Sequence, residues 1–378
     1  MGFSTDAIHG GQEPEPRSGA VITPIFQTST YKQDGIGDNR GYEYGRTANP
    51  TREAWERNVA ILEKGRYAIA YSSGMAATDT ILKLLRPGDE VVVTDNVYGG
   101  TYRLFASVLS EFGITFRFVD TSDLDAVGAA MTPAVKLVFV ESPTNPMLRI
   151  SDISALAEMA HAGGSLLCVD NTFMSPYFQT PLELGADVVV HSATKYLNGH
   201  SDMVGGIVIV NDSAIEEKLR FLQNAVGAVP APFDCWLALR GTKTLAVRMK
   251  AHEANAAHLS RMLRDRSDLE RVVYPGFSDH PQHELARRQQ RGFGGMISFD
   301  TGSLERADRV LRSVKLFTLA ESLGGVESLI SHPASMTHGS VPKADRDRLG
   351  VTDGLLRISV GIEDVEDLEA DLARALDA

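Results

Sequence analysis

Residues 188–196 read Val-Val-Val-His-Ser-Ala-Thr-Lys-Tyr, an apolar β run that ends on two hydroxyl residues and a lysine. A run without polar alternation fits a strand covered on both faces. A lysine directly behind such a strand is withheld from bulk water, where most lysines sit. Working outward, similar β-rich runs recur at Tyr67–Tyr71, Glu90–Thr94, Thr115–Val119, Leu137–Glu141, Ser165–Asp170 and Gly206–Val210. Amphipathic stretches separate them at Met75–Leu85, Tyr102–Phe112 and Ile153–His161. A helix is also expected over Pro50–Leu62, with Trp55, Val59 and Leu62 on one face. Strands alternating with helices predict βαβ units and a mostly parallel sheet flanked by helices, an α/β fold.

In such a sheet, ligands gather at the carboxyl ends of the strands. After the first run comes Ser72-Ser73-Gly74-Met75-Ala76-Ala77. This is either a phosphate cradle at a helix N-terminus or an ordinary βα turn with a Ser N-cap. Asp170 closes another run, and a buried carboxylate needs a cation or several donors. Lys195, once desolvated, is a nucleophile toward a carbonyl, and the hydroxyls of Ser192 and Thr194 could hold a phosphate of the same ligand. Asp170 and Lys195 could instead form an ion pair at the sheet edge. Together they fit one cofactor chemistry, a lysine Schiff base with an acidic partner for a pyridinium nitrogen, which is the pattern of pyridoxal phosphate (PLP).

The flanks differ from this middle. The first ~45 residues carry Pro14, Pro16 and Pro24, which break helices. They also carry Phe26, Tyr31, Tyr42 and Tyr44, more aromatics than a disordered tail usually has. An ordered arm over 1–45 is expected. Beyond Gly241 come an amphipathic stretch, Thr242–Leu263, strands at Arg271–Tyr274 and Gly295–Phe299, the run RISVGIED and a charged terminal helix. The expected organisation is an arm (1–45), an α/β domain (46–240) and a smaller C-terminal α/β domain (241–378).

The chain has 378 residues, enough for two or three domains, and a net charge of 37 − 49 = −12. That balance argues against general nucleic-acid binding, though not against a local site for a small anion. Two cysteines, Cys168 and Cys235, make neither a disulfide framework nor a zinc-thiolate site. The start of the chain has no basic and apolar signal segment, and no apolar run approaches the ~18–20 residues of a membrane span. A cytoplasmic protein without membrane contact is expected. His252-Glu253 and His283-Glu284 lack the second His four residues on, where Ala256 and Arg287 stand, so no metal is expected.

Segments in order along nearly the whole chain resemble the Cys/Met-metabolism family of PLP enzymes, which includes cystathionine γ-lyases, cystathionine γ-synthases and methionine γ-lyases. They are YEYGRTANPTR (42–52), SSGMAA (72–77), VYGGTYRLF (97–105), ESPTNP (141–146), VDNTF (169–173), HSATKYLNGHSD (191–202), AESLGGVESLISHPASMTH (320–338) and LLRISVGIED (355–364). The resemblance implies the fold type I architecture of PLP-dependent transferases. It makes Lys195 the Schiff-base lysine and proton shuttle, and Asp170 the partner of the pyridine nitrogen. Asn145 would contact the phenolic oxygen of the cofactor and the substrate. Tyr98 would stack on the ring and transfer protons. Ser73, Gly74, Met75, Ser192 and Thr194 would hold the phosphate. Tyr44 and Arg46 of the arm would complete the phosphate site of a neighbouring subunit in a homo-oligomer, in this family usually a tetramer. Arg357 would clamp the substrate carboxylate, with Ser322 and Arg103 beside it.

Within the family, Gly100 stands where methionine γ-lyases usually carry Cys, while Glu321 matches the cystathionine enzymes and could receive a distal ammonium. Glu43, FLQNAVGAVPAPFDCWL (221–237) and YPGFSDHPQHEL (274–285) resemble the γ-lyases. The implied reaction is α,γ-elimination of cystathionine to cysteine, 2-oxobutyrate and ammonia, the lyase step of trans-sulfuration. The alternative is γ-replacement of an O-acyl-homoserine with cysteine.

Overall fold

The computed structural model describes residues 1–339 and 341–378. Among these the first seven strands are β1 (Tyr67–Tyr71), β2 (Glu90–Thr94), β3 (Thr115–Val119), β4 (Val135–Glu141), β5 (Leu166–Asp170), β6 (Val188–Ser192) and β7 (Gly206–Val210). They form one sheet in the order β1-β7-β6-β5-β4-β2-β3, with β7 antiparallel to both its neighbours and the rest parallel. Neighbouring positions alternate between two cores. Ile69, Tyr71, Val93, Phe139 and Val190 pack on one face. Ala70, Val92, Val140, Val169 and Val189 pack on the other. Both faces are therefore dry, as the unbroken apolar runs require.

The reversal of β7 has a local cause. A parallel return needs a crossover, usually a helix, and residues 193–205 contain none. This segment instead coils back on itself, with Ala193 N–H donating to Gly205 O at 2.9 Å and Asn198 N–H to Ala193 O at 3.1 Å. Lys195 lies in this coil at the carboxyl end of β6.

The remaining strands are β8 (Arg271–Val273), β9 (Met296–Asp300), β10 (Thr318–Leu319), β11 (Leu329–Ser331) and β12 (Leu355–Ser359). They pair in the order β10-β11-β12-β9-β8, antiparallel except for β10 with β11. Ile297, Phe299, Ile330, Leu356 and Ile358 of this second sheet share a core with residues of the helices Leu245–Arg264, Leu304–Ser313 and Val365–Leu376. The sequence reading missed β10 and β11, which are too short to show a period. It also missed the helix Ser213–Val226 that lies against β1.

The N-terminal segment is not wholly irregular. A helix, Phe3–His9, packs on the helix Pro50–Leu62. The buried Asn58 amide donates to Asp6 O at 3.1 Å and Gly10 O at 2.9 Å. Farther on, Trp236 Nε1 donates to Thr23 O at 3.1 Å. Among the described residues no helix is long and apolar enough to cross a membrane, and no group of His, Cys, Asp or Glu is placed to hold a metal ion.

Candidate active site

A cavity of about 330 Å³ opens at the carboxyl ends of the first sheet, where the second sheet's loops close over it. Its wall brings together Ser73, Gly74, Met75, Tyr98, Asn145, Asp170, Ser192, Thr194, Lys195, Glu321, Ser322 and Arg357, all of them named by the sequence reading. Tyr44, Arg46, Glu43 and Arg103 stand outside this wall. Arg46 donates to Asn224 Oδ1 at 3.0 Å and lies 5.6 Å from the Tyr44 ring centre. Glu43 accepts from Asn39 Nδ2 at 2.6 Å. Arg103 is on the helix Gly99–Ser107, close enough for its charge to act on the Tyr98 phenol.

At one end, the helix Gly74–Leu82 points its N-terminus at the cavity. Ser73 is its N-cap, with Oγ accepting from Ala76 N–H at 3.0 Å. The first N–H groups of a helix have no partner within it and favour an anion. A Cβ on Gly74 would lie 2.9 Å from Ser192 Cβ, so only glycine lets this turn sit so close to β6. Thr194 Oγ1 accepts from Gly205 N–H at 3.1 Å, which orients its hydroxyl beside that of Ser192.

In the middle, Lys195 Nζ donates to Ser322 Oγ at 2.7 Å. Burial, then the positive charge of Arg357, push the amine down to about 8, while Glu321 opposes them. A strong nucleophile is thus within reach near neutral pH. Asp170 sits on the floor and accepts Thr172 N–H at 3.0 Å. Burial raises its pKa against that bond and the charge of His191. A protonated ring nitrogen against Asp170 would supply the cation it lacks.

At the far end, Arg357 is buried. Nη1 donates to Asn145 Oδ1 at 2.8 Å and Nη2 to Ser322 O at 2.9 Å, while Nε has no partner. Burial lowers its pKa to about 10. A buried guanidinium with an unmet donor is suited to a carboxylate. Ser322 holds both Lys195 and Arg357 from a backbone φ of +102°, a strained value for a side-chain residue. Burial and then Glu321 raise the pKa of the Tyr98 phenol, which keeps its proton.

The residues thus fit PLP: an anion cradle, a desolvated amine, a carboxylate wanting a cation and a carboxylate clamp. The sequence reading did not single out Glu141, which also lines the wall. Its Oε2 accepts Tyr98 N–H at 2.8 Å and its Oε1 accepts Asn145 N–H at 3.1 Å. The signal was available, because Glu141 ends an apolar strand just as Asp170 does, and the two pair in register.

Comparison with known proteins agrees with this geometry. The family described as "Cys/Met metabolism PLP-dependent enzyme" matches residues 4–377. A Bacillus subtilis protein named cystathionine gamma-lyase is 55% identical over 377 residues, covering 100% of both chains. A Coxiella burnetii protein named cystathionine beta-lyase is 54% identical, covering 99% of this chain and 97% of its own. Among solved structures, cystathionine gamma-lyase from Lactobacillus plantarum, complexed with L-serine, superposes with a TM-score of 0.97 at 47% identity, covering 100% of this chain and 99% of its own.

Proposed function

We propose that this chain, which belongs to the Cys/Met metabolism family of PLP-dependent enzymes, is a cystathionine γ-lyase that performs α,γ-elimination of cystathionine to cysteine, 2-oxobutyrate and ammonia. Relatives named for lyases of cystathionine support a trans-sulfuration lyase. The observation that carries cystathionine as the substrate is Glu321, a carboxylate in the same wall as the Arg357 clamp. Cystathionine carries a second ammonium group at its far end, which would pair with Glu321. Methionine has none and would gain nothing from that carboxylate. Gly100 supports the same choice, since a Cβ there would lie 2.4 Å from the Tyr98 ring. A Cys at this place would have to displace the tyrosine.

In this reading Ser73, Gly74, Met75, Ser192 and Thr194 hold the cofactor phosphate, Asp170 holds the ring nitrogen and Lys195 the aldehyde carbon. Bound PLP supplies an electrophilic carbon for amine exchange and a ring that stores the electron pair left when a proton departs. Arg357 binds the substrate α-carboxylate through two N–H groups, and Asn145 keeps the guanidinium in plane. Lys195 Nζ would take the α-proton, pass it to the bound cofactor and, as a free amine again, take a β-proton. The Tyr98 hydroxyl, kept protonated by burial and Glu321, gives its proton to the departing sulfur.

The wall's cations are Lys195, assigned to the aldehyde carbon, and Arg357, assigned to the substrate carboxylate, so neither is left for the phosphate at the Gly74 turn. A dianionic phosphate there needs a cation from elsewhere. The arm's Arg46 would supply it, with the exposed Tyr44 adding a hydroxyl, to a neighbouring subunit in a homo-oligomer, which we place in the cytoplasm. Mixing Lys195→Ala chains with Arg46→Ala chains should restore about a quarter of wild-type activity, because half the pairs are mixed and one of their two sites is intact. No recovery after demonstrated subunit exchange would refute the shared site.

The product assay tests the reaction. PLP-loaded protein given cystathionine should release 2-oxobutyrate and cysteine. Pyruvate and homocysteine instead would mean β-cleavage, the reading favoured by the name of the Coxiella relative. No cleavage, with cystathionine made from an O-acyl-homoserine and cysteine, would mean γ-replacement.

A further inference from the structure

We propose that Glu141 is a positioning residue that aligns both halves of the site, tying the Tyr98 turn and the Asn145 turn to the end of β4. The proposal rests on the reading of Tyr98 and Asn145 given above and adds what holds them. Glu141 follows Val138-Phe139-Val140, at a place where another apolar residue would continue the strand. It is buried, and its register partner Asp170 is also a carboxylate. Burial, and then that neighbour, raise its pKa well above the usual carboxylate range, and the two N–H bonds and Arg357 lower it only in part. A group this unfavourable in isolation is retained where its geometry is needed.

That geometry is specific. Tyr98 N–H and Asn145 N–H come from different turns, and each meets a different carboxylate oxygen. Tyr98 starts the helix Gly99–Ser107 without any side-chain cap of its own. Asn145, held at its backbone by Glu141, holds Arg357 through its side chain. Arg357 in turn reaches the Ser322 carbonyl, and Ser322 Oγ accepts from Lys195. One carboxylate therefore fixes the residue facing the ring and, one bond further, the residue facing the substrate carboxylate. A hydroxyl could not span both turns. An amide offers one acceptor oxygen and turns its NH2 against an N–H.

The test compares wild type, Glu141→Gln and Glu141→Asp as full-length protein. The apoprotein is titrated with PLP and followed by visible circular dichroism, a signal that depends on how the ring is held. The kcat and KM for cystathionine are then measured on the loaded enzymes. Glu141→Gln should weaken PLP binding about tenfold, diminish the visible dichroism and lower kcat/KM about 10–100-fold, the range for leaving a buried N–H without its acceptor. Glu141→Asp, which keeps both carboxyl oxygens but reaches one turn, should fall between. In a double variant with Tyr98→Ala the losses should add to less than their sum, because Glu141 acts through Tyr98.

PLP titration, dichroism and kcat/KM within twofold of wild type would overturn the proposal. So would a lowered melting temperature with an unchanged cofactor signal, which marks a merely structural residue. If Glu141→Gln fails to fold, Glu141→Asp decides by the same criteria. If the wild type binds PLP but does not cleave cystathionine, the reaction assignment fails alone, and the titration and dichroism still judge Glu141.

Discussion

Lys195→Ala lowers kcat by about 10⁴-fold or more, the scale of losing a group that acts as both nucleophile and base. The structure leaves no substitute. Lys195 and Arg357 are the cations in the cavity wall, and Arg357 is held by Asn145 and Ser322. The variant should also lose borohydride-trappable PLP, while its far-ultraviolet dichroism stays that of wild type. Residual turnover within about 100-fold of wild type would exclude Lys195 as the base. The amine has a pH signature as well. Burial and Arg357 bring it down to about 8. Below that value it is an ammonium and cannot attack, and above it the lone pair is free. Covalent uptake of PLP by the apoprotein should therefore quicken as pH rises through about 8 and level off above. A rate independent of pH between 6 and 10 would contradict the assignment.

Arg357→Lys should lower kcat/KM for cystathionine about 100-fold, mostly through KM. Lysine keeps the charge but loses the planar fork that meets two carboxylate oxygens at once. Here the fork is also spent internally, on Asn145 Oδ1 and Ser322 O, with Nε unmet in a buried setting. An ammonium cannot serve those two acceptors and a substrate in the same geometry, and two charge-assisted bonds lost or bent give that magnitude. PLP binding should stay within a few-fold of wild type, because Arg357 is assigned to the substrate carboxylate and not to the phosphate at the Gly74 turn. Steady-state kinetics beside a PLP titration checks both. A fall confined to kcat, with KM unchanged, would move Arg357 from the clamp to the chemical steps.

Much of this was legible along the chain. The helix Pro50–Leu62 and the strands Tyr67–Tyr71 and Val188–Ser192 stand at the expected residues. Each owes its form to a period, or an unbroken apolar run, within about ten residues. Ser73, Asp170 and Lys195 were readable because they follow such runs, and the carboxyl end of a strand is a local property. Glu141 carried the same signal at the end of the run Leu137–Glu141 but was not singled out. The reversal of β7 was less accessible, because its five apolar residues look the same in either direction and the cause lies in the helix-free segment before it. The strands β10 and β11 are held by pairing rather than by pattern.

The sequence alone specified the α/β alternation, the family and the side chains placed at the strand ends, because backbone pairing and burial period act over short windows. It could not join residues far apart in the chain. Lys195 meets Ser322 across 127 positions and Asn145 meets Arg357 across 212. These two contacts exist only once the second sheet's segments dock over the first. Tyr44 and Arg46 stand outside their own chain's cavity, with Arg46 bonded to Asn224 across 178 positions. Hydrogen bonds act over about 3 Å, so which groups they join is settled by packing and not by order along the chain.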